Sequence, residues 1–173
     1  MPPDAPAPEF PRPLPLGLVG PEGRRESLEA REAERAALAA RFGIPAVESL
    51  RAELRLWPEA DGAVRAEGSL AADVVQSCVV TLEPVPQRVE EAVSLRLLPA
   101  GTEPRDDDPD GPDDIPSENG VVDLGEAVAE QLALALDPYP RAPGAALPAE
   151  ADDAVPEHPM AALAKLRPSA GSH

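Results

Sequence analysis

The sequence predicts an α+β domain in which an antiparallel sheet of four to five strands is packed by two main helices. Three observations carry that expectation. Between Val47 and Leu98 apolar residues recur with a period near two, the signature of half-buried strands. From about Ser27 to Phe42 the chain is dense in Ala, Glu and Arg, all strong helix formers. Leu124, Val128, Leu132 and Leu136 then fall at four-residue spacing, which lines them along one helix face. A proline-rich N-terminal arm, an acidic loop and a mobile C-terminal tail complete the expected layout. The 173 residues are read as a single domain, 1–173.

Taken in order, residues 1–8 are expected to be a disordered arm. Phe10, Leu14, Leu16 and Leu18 alternate with other residues, which suits an edge strand where proline is tolerated. The first helix buries a narrow stripe of Leu28, Ala36, Leu38 and Phe42 and stops at Gly43 and Pro45. Ala52, Leu54 and Leu56 alternate with Glu53, Arg55 and Trp57 in a half-buried strand, and Asp61-Gly62 signals the hairpin. The return strand carries Val64, Ala66 and Leu70, with a bend or bulge expected at Gly68. A third strand is expected from Val74 to Leu82. After the break at Pro84-Val85-Pro86, a fourth runs through Val89, Val93, Leu95 and Leu97. Residues 9–98 thus comprise arm, helix and an antiparallel meander with one wet face.

Residues 99–119 set many carboxylates against the single Arg105 and are interrupted by prolines, so an unpacked acidic loop is expected. Residues 120–141 form a capped helix with a rigid exit. Asp123 stands at the N-cap, Glu126 is placed to reach back to the cap's amide, and Pro138 ends the helix while pushing Asp137 toward an extended conformation. In the tail, 142–173, Met160, Leu163 and Leu166 fall at three-residue spacing in a short terminal helix, too short to stand alone.

The formal net charge is −17. A field of that sign repels a phosphate backbone, which excludes a broad basic nucleic-acid footprint and suits a cationic partner. The chain opens without a basic and apolar leader, and nowhere do about 18 apolar residues follow one another, so no membrane partner and a cytoplasmic location are expected. Cys78 is the single cysteine and cannot form an internal disulfide.

No catalytic, cofactor-binding or metal site is expected, and no small-molecule substrate. Cys78 lacks companion ligands, and both histidines, His158 and His173, lie in the tail. Asp106-Asp107-Asp108-Pro109-Asp110-Gly111 matches the first half of a calcium loop, but Ser117 stands where the bidentate glutamate belongs. Phosphate-binding glycine loops and nucleophile elbows are missing from the sequence. The best exposed candidate is Asp137-Pro138-Tyr139-Pro140-Arg141, a stiff strip that offers Tyr and Arg, the side chains most often found as interface anchors. The alternative reading of the same residues is a plain helix exit, with Tyr139 covering the core and Arg141 paired to an acid.

Four segments together resemble a known family. They are Glu9-Phe10-Pro11-Arg12; Val74-Val75-Gln76-Ser77-Cys78-Val79-Val80-Thr81-Leu82-Glu83-Pro84; the capped helix, with Asp123-Leu124-Gly125-Glu126, Glu130-Gln131-Leu132 and Asp137-Pro138-Tyr139-Pro140-Arg141; and Pro159-Met160-Ala161-Ala162-Leu163-Ala164-Lys165-Leu166. In this order they resemble the YceD family of bacterial large-ribosomal-RNA accumulation proteins. Relatives in that family often carry Cys-x-x-Cys where this chain reads Cys78-Val79-Val80-Thr81, so Thr81 replaces the second thiol. The resemblance implies a non-catalytic role in large-subunit ribosomal RNA accumulation and ribosome assembly. With the acidic charge, it implies a basic ribosomal or ribosome-assembly protein as partner. The alternative is direct recognition of precursor large-subunit rRNA by a local patch of Arg141, Arg12 and Tyr139.

Overall fold

The structure is a computed structural model that describes residues 8–104 and 111–146. Seven strands, two helices and a short 3-10 turn follow one another: β1 (Pro13–Pro15), the turn Leu16–Leu18, β2 (Arg24–Glu29), α1 (Glu32–Phe42), β3 (Ala46–Pro58), β4 (Val64–Ser77), β5 (Pro84–Leu98), β6 (Asp113–Pro116), β7 (Val121–Asp123) and α2 (Leu124–Ala135). The main sheet has the order β2-β3-β4-β5-β6. Its first four strands pair antiparallel, and β6 joins β5 in parallel. β1 and β7 form a separate antiparallel pair, Leu14 opposite Val122.

Period-two patterning decides which face is buried. Leu50, Ala52, Leu54 and Leu56 of β3, Ala66, Leu70, Ala72 and Val74 of β4, and Val89, Val93, Leu95 and Leu97 of β5 are all buried in one cluster. Leu38 and Ala39 of α1 and Leu124, Val128 and Leu132 of α2 belong to the same cluster. α1 packs on β3, and α2 packs on β5, β4 and β1. Only four aromatic residues occur in the chain, so branched aliphatic side chains fill most of this core. Phe10 is the aromatic exception, 1% exposed beneath the crossing arm.

The helix termini follow local chemistry. At the end of α1, Gly43 takes φ +65°, and its amide and that of Ile44 donate to the carbonyls of Ala40 and Ala39. At the start of α2, one oxygen of Asp123 accepts from the amides of Gly125 and Glu126, as an N-cap should. Gly62, with φ +87°, turns the β3–β4 hairpin as Asp61-Gly62 suggested.

Four expectations are corrected. Residues 24–29 are strand, so the first helix starts at Glu32 instead of near Ser27. Hydrogen bonding along β3, with Leu28 opposite Ala52, outweighs the helix propensity of Arg, Glu and Leu there. The buried positions of the helix are consequently Leu38 and Ala39, while Ala36 is exposed. The expected separate strand at 74–82 does not exist: β4 runs unbroken to Ser77, and a turn follows. Its register passes Gly68 without irregularity, the bulge lying at Val47/Ser49 in β3 instead. Lastly, the acidic stretch 99–119 contains β6, which makes the sheet mixed. Arg96 of β5 reaches Asp114 and so places a carboxylate of that stretch against the sheet. The expectations for 1–7, for 105–110 with the calcium-like sequence, and for 147–173 with its terminal helix and histidines lie outside the described residues.

Gly125 explains the otherwise odd glycine in the first turn of α2. A Cβ there would stand 1.7 Å from the Phe10 carbonyl oxygen, so the arm can cross the helix only over a bare Cα. Gly125→Ala gains about 1 kcal/mol of helix propensity. It is nevertheless expected to be less stable than the parent by about 1–3 kcal/mol, because the arm must lift. Urea unfolding followed by Trp57 fluorescence measures this, and a rise in midpoint would refute the crossing.

Candidate functional site

The strip 137–141 leaves α2 beside the end of β4 and is fastened there by backbone. Gln76 Nε2 donates to the Asp137 carbonyl at 2.9 Å, and the Val79 amide donates to the Pro140 carbonyl at 2.9 Å. Asp137 Oδ1 accepts from the Tyr139 amide at 2.8 Å, a local turn that holds the residue between the two prolines. Pro140 is buried, while Asp137, Pro138, Tyr139 and Arg141 are exposed, Tyr139 at 72%. Tyr139 therefore does not cover the core, and among the described residues Arg141 takes part in no ion pair.

Next to the strip lies the β4–β5 turn, which the sequence pattern treated as strand. Cys78 is fully buried at its base. Its amide donates to the Glu83 carbonyl, its carbonyl accepts from the Leu82 amide, and its sulfur accepts from the amides of Val80 and Thr81 at 3.4 Å. Thr81, standing where a second thiol would, donates its hydroxyl to Glu83. The Ala142 amide, first, and the Thr81 side chain hold the Cys78 thiol down to about 7 against the effect of burial. Cys78 is thus a turn residue and not a strand residue, and it ties the turn to the strip. Among the described residues no group of His, Cys, Asp and Glu is arranged to hold a metal ion.

This turn also supplies surface that sequence reasoning missed. Leu82 is 78% exposed with φ +63°, a conformation that a branched side chain rarely adopts, and Val79 is exposed beside it. Leu134, near the end of α2, is exposed as well. Aliphatic residues just ahead of the break at Pro84-Val85-Pro86 were the available signal, obscured because Val79, Val80 and Leu82 also suit a strand.

Arg12, the sixth candidate, is elsewhere and otherwise engaged. Its guanidinium makes a two-pronged pair with Glu34 at 2.9 and 3.0 Å, donates to the carbonyls of Pro11 and Glu29, and lies 4.4 Å from the centre of the Phe10 ring. Its amide donates to Asp123 at 2.8 Å, and its carbonyl accepts from Leu124. These contacts fix Arg12 at the N-terminal end of α2, whereas the strip leaves the C-terminal end. The twelve residues of the helix separate the two by about 18 Å. Arg12 and Tyr139 do not form one patch.

A second fastener stands near the first. Arg41 of α1 holds both oxygens of Glu126 and one of Glu9. Glu126 consequently faces α1 and does not reach back to its own cap. The Arg41 contact lowers the pKa of Glu126.

Residues 66–167, more than half of the chain, match the family described as Large ribosomal RNA subunit accumulation protein YceD. The matched range begins inside β4 and includes the turn, α2 and the strip, while Glu9-Phe10-Pro11-Arg12 precedes it. No curated protein and no solved structure matches the chain.

Two outcomes follow from this geometry. Tyr139→Ala and Arg141→Ala are each expected to leave unfolding free energy within about 0.5 kcal/mol of the parent, since neither side chain is packed. The Arg12 contact, first, brings the Glu34 carboxyl from its usual 4.5 down to about 2, so its stabilisation is complete above pH 4.5 and fades as pH falls toward 2. Glu34→Gln should therefore cost about 1.5–3 kcal/mol at pH 6, with the gap closing toward pH 2. Urea midpoints across that range check it, and a gap that ignores pH would contradict the pairing.

Proposed function

We propose that this chain, which belongs to the YceD family of large ribosomal RNA subunit accumulation proteins, supports that accumulation as a non-catalytic cytoplasmic factor that holds a basic ribosomal or ribosome-assembly protein. The observation that carries this reading is where the positive charge goes. Twelve arginines and no lysine fall within the described residues, and eight of those arginines are paired with the chain's own carboxylates. Guanidinium groups bound in this way are poorly placed to meet phosphates, and the surface left over is acidic. Such a surface draws a cationic protein rapidly and in a salt-dependent way.

Support for holding, as opposed to merely attracting, comes from the strip and turn. Tyr139, Leu82 and Val79 project from backbone fixed by hydrogen bonds, so little ordering entropy opposes their use as anchors. One observation favours direct contact with precursor rRNA: an exposed Tyr139 two residues from Arg141, which makes no ion pair among the described residues, is a pair able to stack on and charge-stabilise an unpaired nucleotide. That patch is small, as is the one where exposed Arg55, opposite Arg25, lies over the Trp57 ring, and both stand against a net charge of −17. Among the described residues, no helix is long and apolar enough to cross a membrane.

The test is crosslinking of the tagged chain in cells, followed by sedimentation of ribosomal particles with and without nuclease. Association through a protein is expected to survive digestion and to weaken as salt is raised. Loss of all crosslinked protein on nuclease treatment, with rRNA fragments retained on the chain, would replace this reading with direct rRNA binding.

A further inference from the structure

On the side of α2 away from the strip's end, the fold leaves a groove of about 1170 Å³. Ile115 of β6 and Val121 of β7, both half-buried, supply its apolar floor, while the next residue, Val122, turns into the core at 2% exposure. β6 pairs with β5, and β7 pairs with β1 while its Val121 also bridges Glu118 across the Asn119-Gly120 turn, which sets Glu118 beside the floor. Among the described residues the lining carries six carboxylates and a single cation, Arg41. Arg41 is already held by Glu9 and Glu126, which leaves no free positive charge among the described lining residues. Asp123 is used by the backbone amides it caps, whereas Glu118, in the turn before β7, and Glu130, on α2, line the groove and make no ion pair among the described residues.

An apolar floor between acidic walls selects a particular ligand. A purely polar cation would leave the aliphatic floor wet, and a purely apolar segment would desolvate carboxylates without pairing them. Alternation satisfies both, because an extended chain points successive side chains to opposite sides with period two. We propose that this groove seats an extended segment of a basic protein in which lysine or arginine alternates with aliphatic side chains. The aliphatic residues rest on Ile115 and Val121, and the cations meet Glu118 and Glu130. This inference rests on the reading of the chain as a holder of a basic protein and gives that partner a sequence character and a seat.

The experiment uses the full chain and a fluorescent peptide of alternating lysine and valine, read by anisotropy. A lysine-serine peptide of the same length and charge is expected to bind about tenfold more weakly, since it forgoes the floor. The double variant Glu118→Lys/Glu130→Lys is expected to weaken the lysine-valine peptide by about tenfold or more. The same charge change on the wet face of the sheet, Glu53→Lys/Glu67→Lys, should change it by no more than about twofold. Equal weakening by both double variants, or equal binding of both peptides, would reduce the attraction to overall charge and overturn the proposal. A dimer of the chain abolished by Glu118→Lys/Glu130→Lys would also overturn it, by naming a second copy as the occupant. The crosslinking assay separates the two levels. If the groove variant retains its crosslinked protein in full, the seat is wrong and the holding function stands. If the parent captures no protein but binds the lysine-valine peptide in the groove, the seat stands and the holding function fails.

Discussion

Arg12 is the joint on which the arrangement of arm, helices and sheet depends. Its backbone grips the start of α2 through Asp123 and Leu124, while its side chain grips α1 through Glu34 and the end of β2 through the Glu29 carbonyl. Phe10 is buried directly beneath the guanidinium. The pair with Glu34 is two-pronged and largely shielded, the kind of ion pair that fixes geometry instead of fluctuating at the surface. Through this one residue, segments more than a hundred positions apart in sequence are set against each other. Gly125 is the steric counterpart, since the arm can reach the joint only where the helix lacks a side chain.

The same use of arginine shapes the outside of the molecule. Arg12 and Arg41 tie helices and arm together, and Arg65 and Arg96 converge on Glu59 at the β3–β4 turn, with Arg96 also reaching Asp114. Each pairing turns a potential phosphate contact into an internal fastener. What remains outward is mostly carboxylate, beside the exposed Arg25, Arg55 and Arg141, and two features stand at opposite ends of α2. An apolar-floored groove lies by its first turns, and a rigid tip of Tyr139, Val79 and Leu82 lies by its last.

Legibility in the sequence followed the range of the interactions. The hairpin, the Gly43 stop and the Asp123 cap depend on residues a few positions apart, and the buried faces of β3 and β5 depend on simple alternation, so all could be read. β2 could not, because Arg-Arg-Glu-Ser-Leu-Glu carries helix propensity and becomes strand only by pairing with β3. β6 was hidden in an acidic stretch and is held by Arg96 from another strand. The Asn119-Gly120 pair after it, with φ +53° and +78°, was a readable turn signal that composition obscured. For the candidate site, the exposed strip was legible from its prolines. Arg12 looked like a free cation because nothing local announces Glu34 or Phe10 as its partners, and Leu82 looked like a strand residue because a left-handed φ leaves no trace in a leucine.

The most direct measurement of the joint is a double-mutant cycle on Arg12→Met and Glu34→Gln at neutral pH, with unfolding in urea followed by Trp57 fluorescence. A fastener that sets arm and helices in place should give a coupling of about 1–3 kcal/mol, the double variant being scarcely worse than either single one. Additive losses with no coupling would contradict it, and would return Arg12 to the surface as a cation free for phosphate.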